Sequence, residues 1–217
     1  MIKNILLTGA TGFIGSHLLE ALVNNGNKVV ITKISGSDTT RIDHLLKKVK
    51  SYDSDKIDLE KMFLETRIDC VIHLATNYIK SHKSEAEVEL MLDSNVKFPT
   101  ILAELCIKHK VGSFINTGTF FEYKMKDSPI KEGDPIDPYN FYASTKVAFN
   151  NIIKFYAKHF GLKVMDFKLF APFGEKDNEK LVIFLTCFSP RSFRPKTNIS
   201  VFFSFSLDST KYTSTSP

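Results

Sequence analysis

Apolar positions along the first 180 residues switch repeatedly between short unbroken runs and runs spaced three and four apart, an alternation that predicts strands followed by helices. Residues 2–7 read as a strand, and Ile14, Leu18, Leu19 and Leu22 follow at helical spacing. A turn at Gly26 and Asn27 leads into a second buried strand over residues 28–34. Residues 42–50 predict a short helix, 49–52 a third strand and 59–64 another helix. The continuous apolar run at 70–75 fits a buried parallel strand, with His73 as a core histidine inside it. Two helical segments follow, 84–93 and 97–109. The second carries Phe98, Ile101, Leu102 and Leu105 on one face, and Pro99 in its first turn, where a missing N–H is harmless. Residues 113–117 make a fifth strand, 141–160 a long helix and 162–170 a sixth strand. The expected fold is therefore α/β, a Rossmann-like doubly wound parallel sheet covered on both faces, with ligands bound at the carboxyl ends of its strands.

Past Lys180 this pattern stops. Residues 181–217 contain no glycine, one acid (Asp208), six Phe, eight Ser and five Thr, and only a brief alternation at 201–207 predicts a strand. Two parts are expected: a Rossmann-like domain over 1–180, and an atypical Ser/Thr/Phe-rich tail over 181–217. The whole chain has a formal net charge of +5, but the tail holds four basic groups against one acid, so residues 1–180 are nearly neutral. The basic excess does not form a patterned nucleic-acid-binding face, and no nucleic-acid partner is expected. Cys70, Cys106 and Cys187 are odd in number and form no C-x-x-C pair, which suggests neither disulfides nor zinc and fits a reducing cytoplasm. The histidines show no metal-ligand spacing, and no metal is expected. The first residues lack a signal-peptide cleavage pattern, and the late apolar stretch at 181–188 is too short to span a bilayer, so no membrane partner is expected.

Two constellations carry chemistry. Gly9, Gly12 and Gly15 lie between the first strand and its helix, where the missing Cβ atoms permit a sharp turn, close approach of a phosphate and tight helix packing. At the end of the second strand stand Thr32, Lys33, Ile34 and Ser35, with Arg41 further on and no carboxylate before Asp38. A cationic, hydroxylic pocket of this kind suits a 2′-phosphate, which favours NADP(H) as cofactor, with NAD(H) as the alternative. Asp53, after the third strand, is placed to border an adenine pocket. The second constellation is Tyr142 and Lys146, four apart on one helix face. The ammonium is expected to stabilise the phenolate and lower its pKa, making Tyr142 usable as a general acid or base.

Together these stretches resemble the extended, sugar-nucleotide-modifying branch of the short-chain dehydrogenase/reductase superfamily. The resemblance is carried by T-G-A-T-G-F-I-G at 8–15, H-L-A at 73–75, N-V at 95–96, Y-x-x-x-K at 142–146 and K-L-F-A-P-F-G at 168–174, and it covers roughly residues 1–180. It implies an NAD(P)-binding domain in which Gly9, Thr11, Gly12, Phe13, Ile14, Gly15, Lys33, Arg41, Asp53, Leu74, Ala75, Asn95, Tyr142 and Lys146 contact the cofactor. It also implies hydride transfer at a sugar carbon while Tyr142 moves the hydroxyl proton, assisted by a hydroxyl after the fifth strand. That hydroxyl falls on Thr119, with Thr117 as the weaker choice. Phe120 and Phe121 stand where 4,6-dehydratases carry an Asp-Glu pair, which disfavours dehydration. The T-G-T-F-F run is most similar to reductases of 4-keto-deoxyhexose nucleotides, such as the CDP-abequose synthase group, a setting in lipopolysaccharide biosynthesis. A nucleotide sugar is the expected substrate, C4 epimerisation the rival reaction, and a catalytically inactive dinucleotide-binding remnant the third reading. In such proteins a long helix like that at 141–160 often pairs across a homodimer. Family members continue for another hundred residues or more, in a domain that grips the substrate. The change after Lys180 is expected to mark a truncation or a shifted reading frame, the alternative being a genuine short tail.

Overall fold

A computed structural model describes residues 3–174 and 199–206; the tail expectations outside 199–206 lie beyond the described residues. Seven strands form one sheet in the order β3-β2-β1-β4-β5-β6-β7. They are β1 (Asn4–Thr8), β2 (Lys28–Lys33), β3 (Lys50–Asp53), β4 (Cys70–His73), β5 (Ser113–Thr119), β6 (Val164–Gly174) and β7 (Ile199–Ser206). The first six run parallel, and β7 joins β6 antiparallel near the expected late strand. Because β1 pairs with both β2 and β4, the chain reverses its direction of travel across the sheet at β1, the kind of switch point at which parallel α/β sheets form a ligand crevice at the carboxyl ends of their strands.

Alternating side chains send two cores to opposite faces. On one face Ile5, Leu7, Val29, Ile31 and Ile72 pack with Leu19 of α1 (Phe13–Asn24) and with Leu45 of a 3-10 turn over Asp43–Lys48. On the other, Leu6, Val30, Val71 and Phe114 pack against α2 (Leu59–Glu65), α4 (Phe98–Lys108) and α5 (Phe141–Phe160). The turn at Asp43–Lys48 replaces the expected helix. Among the described residues no helix is long and apolar enough to cross a membrane.

Two departures from expectation matter for the site. The segments predicted at 84–93 and 97–109 form one path, α3 (Glu85–Leu92) joined to α4 by a π turn over Asp93–Lys97. Pro99 has no N–H to offer the carbonyl four residues back, and Phe98 N–H instead reaches Asp93 O, widening the turn. The second departure is in β5, which runs two residues past Thr117 because its pairing with β6 continues through Gly118↔Lys168 and Thr119↔Leu169.

Candidate active site

The glycine turn divides its labour among its three glycines. Gly9 has φ +72°, and a Cβ there would stand 2.6 Å from Ala75 N, so both turn and packing require glycine. A Cβ on Gly15 would collide with the Gly9 carbonyl. Gly12 differs: the nearest atom to its Cβ position is Gly9 O at 3.3 Å, so protein packing alone makes only a weak demand for glycine. Gly12 is also the N-cap of α1, which receives no side-chain cap and has no acid in its first turn. Its N–H donates to Gly9 O at 3.1 Å, while the next N–H groups, at Phe13 and Ile14, open the helix. A backbone surface without side chains at a helix N-terminus fits a pyrophosphate. Thr11, Phe13 and Ile14 belong to this turn and the first turn of α1.

Leu74 and Ala75 follow β4 directly. Their N–H groups both donate to Thr8 Oγ1, at 3.2 and 3.1 Å, and Thr8 Oγ1 also bonds His73 Nδ1 at 2.8 Å. Thr8, fully buried, thus shapes the loop opposite the glycine turn, a role invisible in the motif. Burial holds His73 well below the ordinary histidine range, consistent with a core residue. Asn95, 1% exposed, stands in the π turn and has its amide engaged by protein. It accepts from Thr76 Oγ1 and Asn77 N–H and donates to Asn77 O and Thr145 Oγ1, all within 3.0 Å. It is a strut between the loop after β4 and the start of α5.

At the other end of the crevice Lys33 forms an ion pair with Asp53. The expected free cation is therefore balanced by the carboxylate expected at the adenine pocket, and the electrostatic argument for a 2′-phosphate loses its main charge. Arg41 lies in the loop after β2.

Tyr142 and Lys146 sit in the first two turns of α5, which starts where Asn140 caps it by accepting Ala143 N–H at 2.9 Å. Both face inward, 8% and 4% exposed. Burial pushes the Tyr142 phenol up to about 12, opposed by a hydrogen bond with Thr76 and reinforced by the charge of Glu122 and by Tyr78, whose ring packs edge-on at 4.8 Å. Burial pulls Lys146 down to about 8, opposed by Glu122 and Asp166 and reinforced by Lys168. This corrects the expected lowering of the phenol: the cost of burying a phenolate dominates, and near neutrality Tyr142 holds its proton.

Thr119 is 7% exposed, with its N–H bonded to Glu122 Oε1 at 2.8 Å and its hydroxyl accepting from Phe121 N–H at 3.4 Å. Thr117 Oγ1 donates to His73 O at 3.0 Å and so braces β4. Glu122 brings the set together, since it bonds Thr119 while its charge acts on both Tyr142 and Lys146. Phe120 and Phe121 lie ring to ring at 4.1 Å and extend over Phe170 and Tyr139, an aromatic wall directly after Thr119.

Residues 5–189 match the NAD dependent epimerase/dehydratase family. The CDP-abequose synthase of Salmonella typhimurium is 32% identical over 181 residues, 82% of this chain and 56% of the synthase. A UDP-glucose 4-epimerase from Halalkalibacterium halodurans is 28% identical over 82% of this chain and 53% of its own length. Among solved structures, UDP-glucuronic acid 4-epimerase from Bacillus cereus in complex with NAD superimposes with a TM-score of 0.65 at 28% identity, covering 75% of this chain and 55% of that one. The chain thus spans little more than half the length of these relatives.

Proposed function

The chain belongs to the NAD dependent epimerase/dehydratase family, and from that membership we propose that it reduces a 4-keto-deoxyhexose nucleotide, with Tyr142 donating a proton to the oxygen that becomes the sugar hydroxyl. The dinucleotide, when bound, supplies the hydride. The glycine turn and the backbone after β4 would hold its pyrophosphate and nicotinamide half, and Lys146 would lie beside Tyr142 to steady the phenol as its proton leaves. Thr119 would hold the reacting oxygen in line with that proton.

One observation carries the choice of reduction over dehydration: neither of the two residues that directly follow Thr119 can carry a proton. Phe120 and Phe121 fill those positions with stacked rings, and the next acid, Glu122, is fully buried and engaged by Thr119 N–H and Lys168. Removing water from adjacent carbons needs a second acid/base pair, and the aromatic wall provides none. Similarity to a CDP-abequose synthase supports the same reading. C4 epimerisation stays the rival because the H. halodurans relative and the B. cereus structure are both 4-epimerases. The Lys33–Asp53 pair removes the net positive charge on which the NADP(H) expectation rested, and the B. cereus structure in complex with NAD supports NAD(H). The same reading carries a homodimer contact on α5, supported by Phe155 and Phe160, which are half exposed there.

The test is incubation of the full chain with CDP- and dTDP-4-keto-6-deoxyhexoses and NADH or NADPH. Reductase activity consumes the dinucleotide in proportion to product, and Tyr142→Phe lowers kcat by about 10²–10⁴-fold while leaving dinucleotide binding intact. Interconversion of C4 epimers without net dinucleotide consumption would establish the epimerase instead. Binding without turnover across the panel would reduce the chain to a dinucleotide-binding unit.

A further inference from the structure

A buried group of charges acts on Tyr142 and Lys146, and of its members only Lys168 falls in a stretch that carries the family resemblance. Glu122 is fully buried and Lys168 is 5% exposed. The Lys168 ammonium bonds Glu122 Oε2 and also Asp166 Oδ2 at 2.7 Å. Asp166 accepts in addition from Asn116 Nδ2 at 2.7 Å and Asn150 Nδ2 at 3.0 Å. These groups come from β5, the turn after it, α5 and β6, so only the folded register assembles them. The backbone makes room for the pair: a Cβ at Gly118 would stand 2.6 Å from Lys168 Nζ and closer still to Glu122 Oε1. With Lys146 the group holds two cations and two anions, and Lys168 takes both carboxylates.

In a low-dielectric interior two carboxylates without a partner are strongly destabilising, and they would recruit the nearest cation. Were Lys168 absent, that cation is Lys146. We propose that Glu122 and Lys168 are positioning residues of the site: Glu122 fixes the Thr119 backbone and with it the hydroxyl, while Lys168 neutralises Glu122 and Asp166 so that Lys146 remains available to Tyr142. This rests on the roles given above to Tyr142, Lys146 and Thr119. The other groups facing the pair are Tyr78 from the loop after β4, neutral His73 from β4 and Thr76, none of which the variants below alter.

Signs follow from the charges. Glu122 disfavours the Tyr142 phenolate, and Lys168 offsets Glu122, so removing one or the other moves the phenol in opposite directions. The experiment is an ultraviolet difference titration of tyrosinate on the full chain without substrate, with Tyr142→Phe as the blank that isolates this phenol. Glu122→Gln lowers its midpoint by about one unit, Lys168→Met raises it by about the same, and Lys168→Arg restores the wild-type value. In turnover, kcat falls about 10–100-fold in Glu122→Gln and Lys168→Met while KM for the dinucleotide changes less than about threefold. Should Lys168→Met fail to fold, the shape-conserving Glu122→Gln and Lys168→Arg carry the test. Midpoints unmoved in folded Glu122→Gln overturn the proposal. Turnover absent in the wild type would overturn the reductase reading alone, because the titration needs no substrate.

Discussion

Lys146 illustrates how a buried ionisable residue shapes stability as well as chemistry. Its folded pKa, about 8, lies below the unfolded value of 10.5. Between those values the unfolded chain binds the extra proton, so this group makes stability rise with pH across that window. Below it, the ammonium is charged in both states and opposes folding in full, by on the order of 3 kcal/mol. Lys146→Met is therefore expected to raise the melting temperature at pH 7 and to give no gain above about pH 10.5. Thermal melts at the two pH values check this, and a gain equal at both would refute it. Thr8 is the opposite case, a small residue whose loss is costly. Its hydroxyl serves His73 and two backbone N–H groups. Thr8→Val should destabilise by about 2–4 kcal/mol in urea titration, because buried donors are left unpaired.

At the scale of elements, the strand-turn-helix at residues 4–24 separates glycines that packing demands from one that it does not. Gly9→Ala and Gly15→Ala force a left-handed alanine or a backbone collision, and each should lower stability by about 2 kcal/mol or more. Gly12→Ala should leave the melting temperature close to wild type yet weaken dinucleotide binding, read by fluorescence titration. Equal destabilisation at all three would remove the argument that Gly12 faces a phosphate. These elements were legible in the sequence because hydrophobic period and glycine punctuation agree over residues 4–33, and Tyr142 and Lys146 were legible because four-residue spacing fixes a shared helix face. Other features needed the fold. Pro99 does stand in the first turn of α4, as its sequence position implies, but the apolar spacing carries no sign of the π turn that precedes it. Glu122 was readable in part, as the fourth residue of a Thr-x-x-Glu capping box that the structure forms at Thr119. Its partner Lys168 lies 46 residues away and meets it only through the β5–β6 register.

At the scale of the whole molecule, the crevice at the reversal of strand order ties dinucleotide binding to global stability. A ligand bound only by the folded state stabilises it by about 2.7 kcal/mol at a hundredfold excess over Kd. NADH is expected to raise the melting temperature more than NADPH at equal concentration, and Asp53→Asn, which frees Lys33, should narrow or reverse that order. An unchanged order would show that the Lys33–Asp53 pair does not select the cofactor. The sheet itself imposes one more consequence. It stands between two hydrophobic cores, with Leu19 in one and Phe149 in the other. No side chain of one cluster can relax into a cavity opened in the other, so the costs of two such cavities should add. Leu19→Ala and Phe149→Ala, each expected to cost about 2–5 kcal/mol, should sum in the double variant to within about 0.5 kcal/mol. A substitution behind one face would then leave the other face's tolerance to change where it was, and sequence drift in the two layers could proceed without reference to each other.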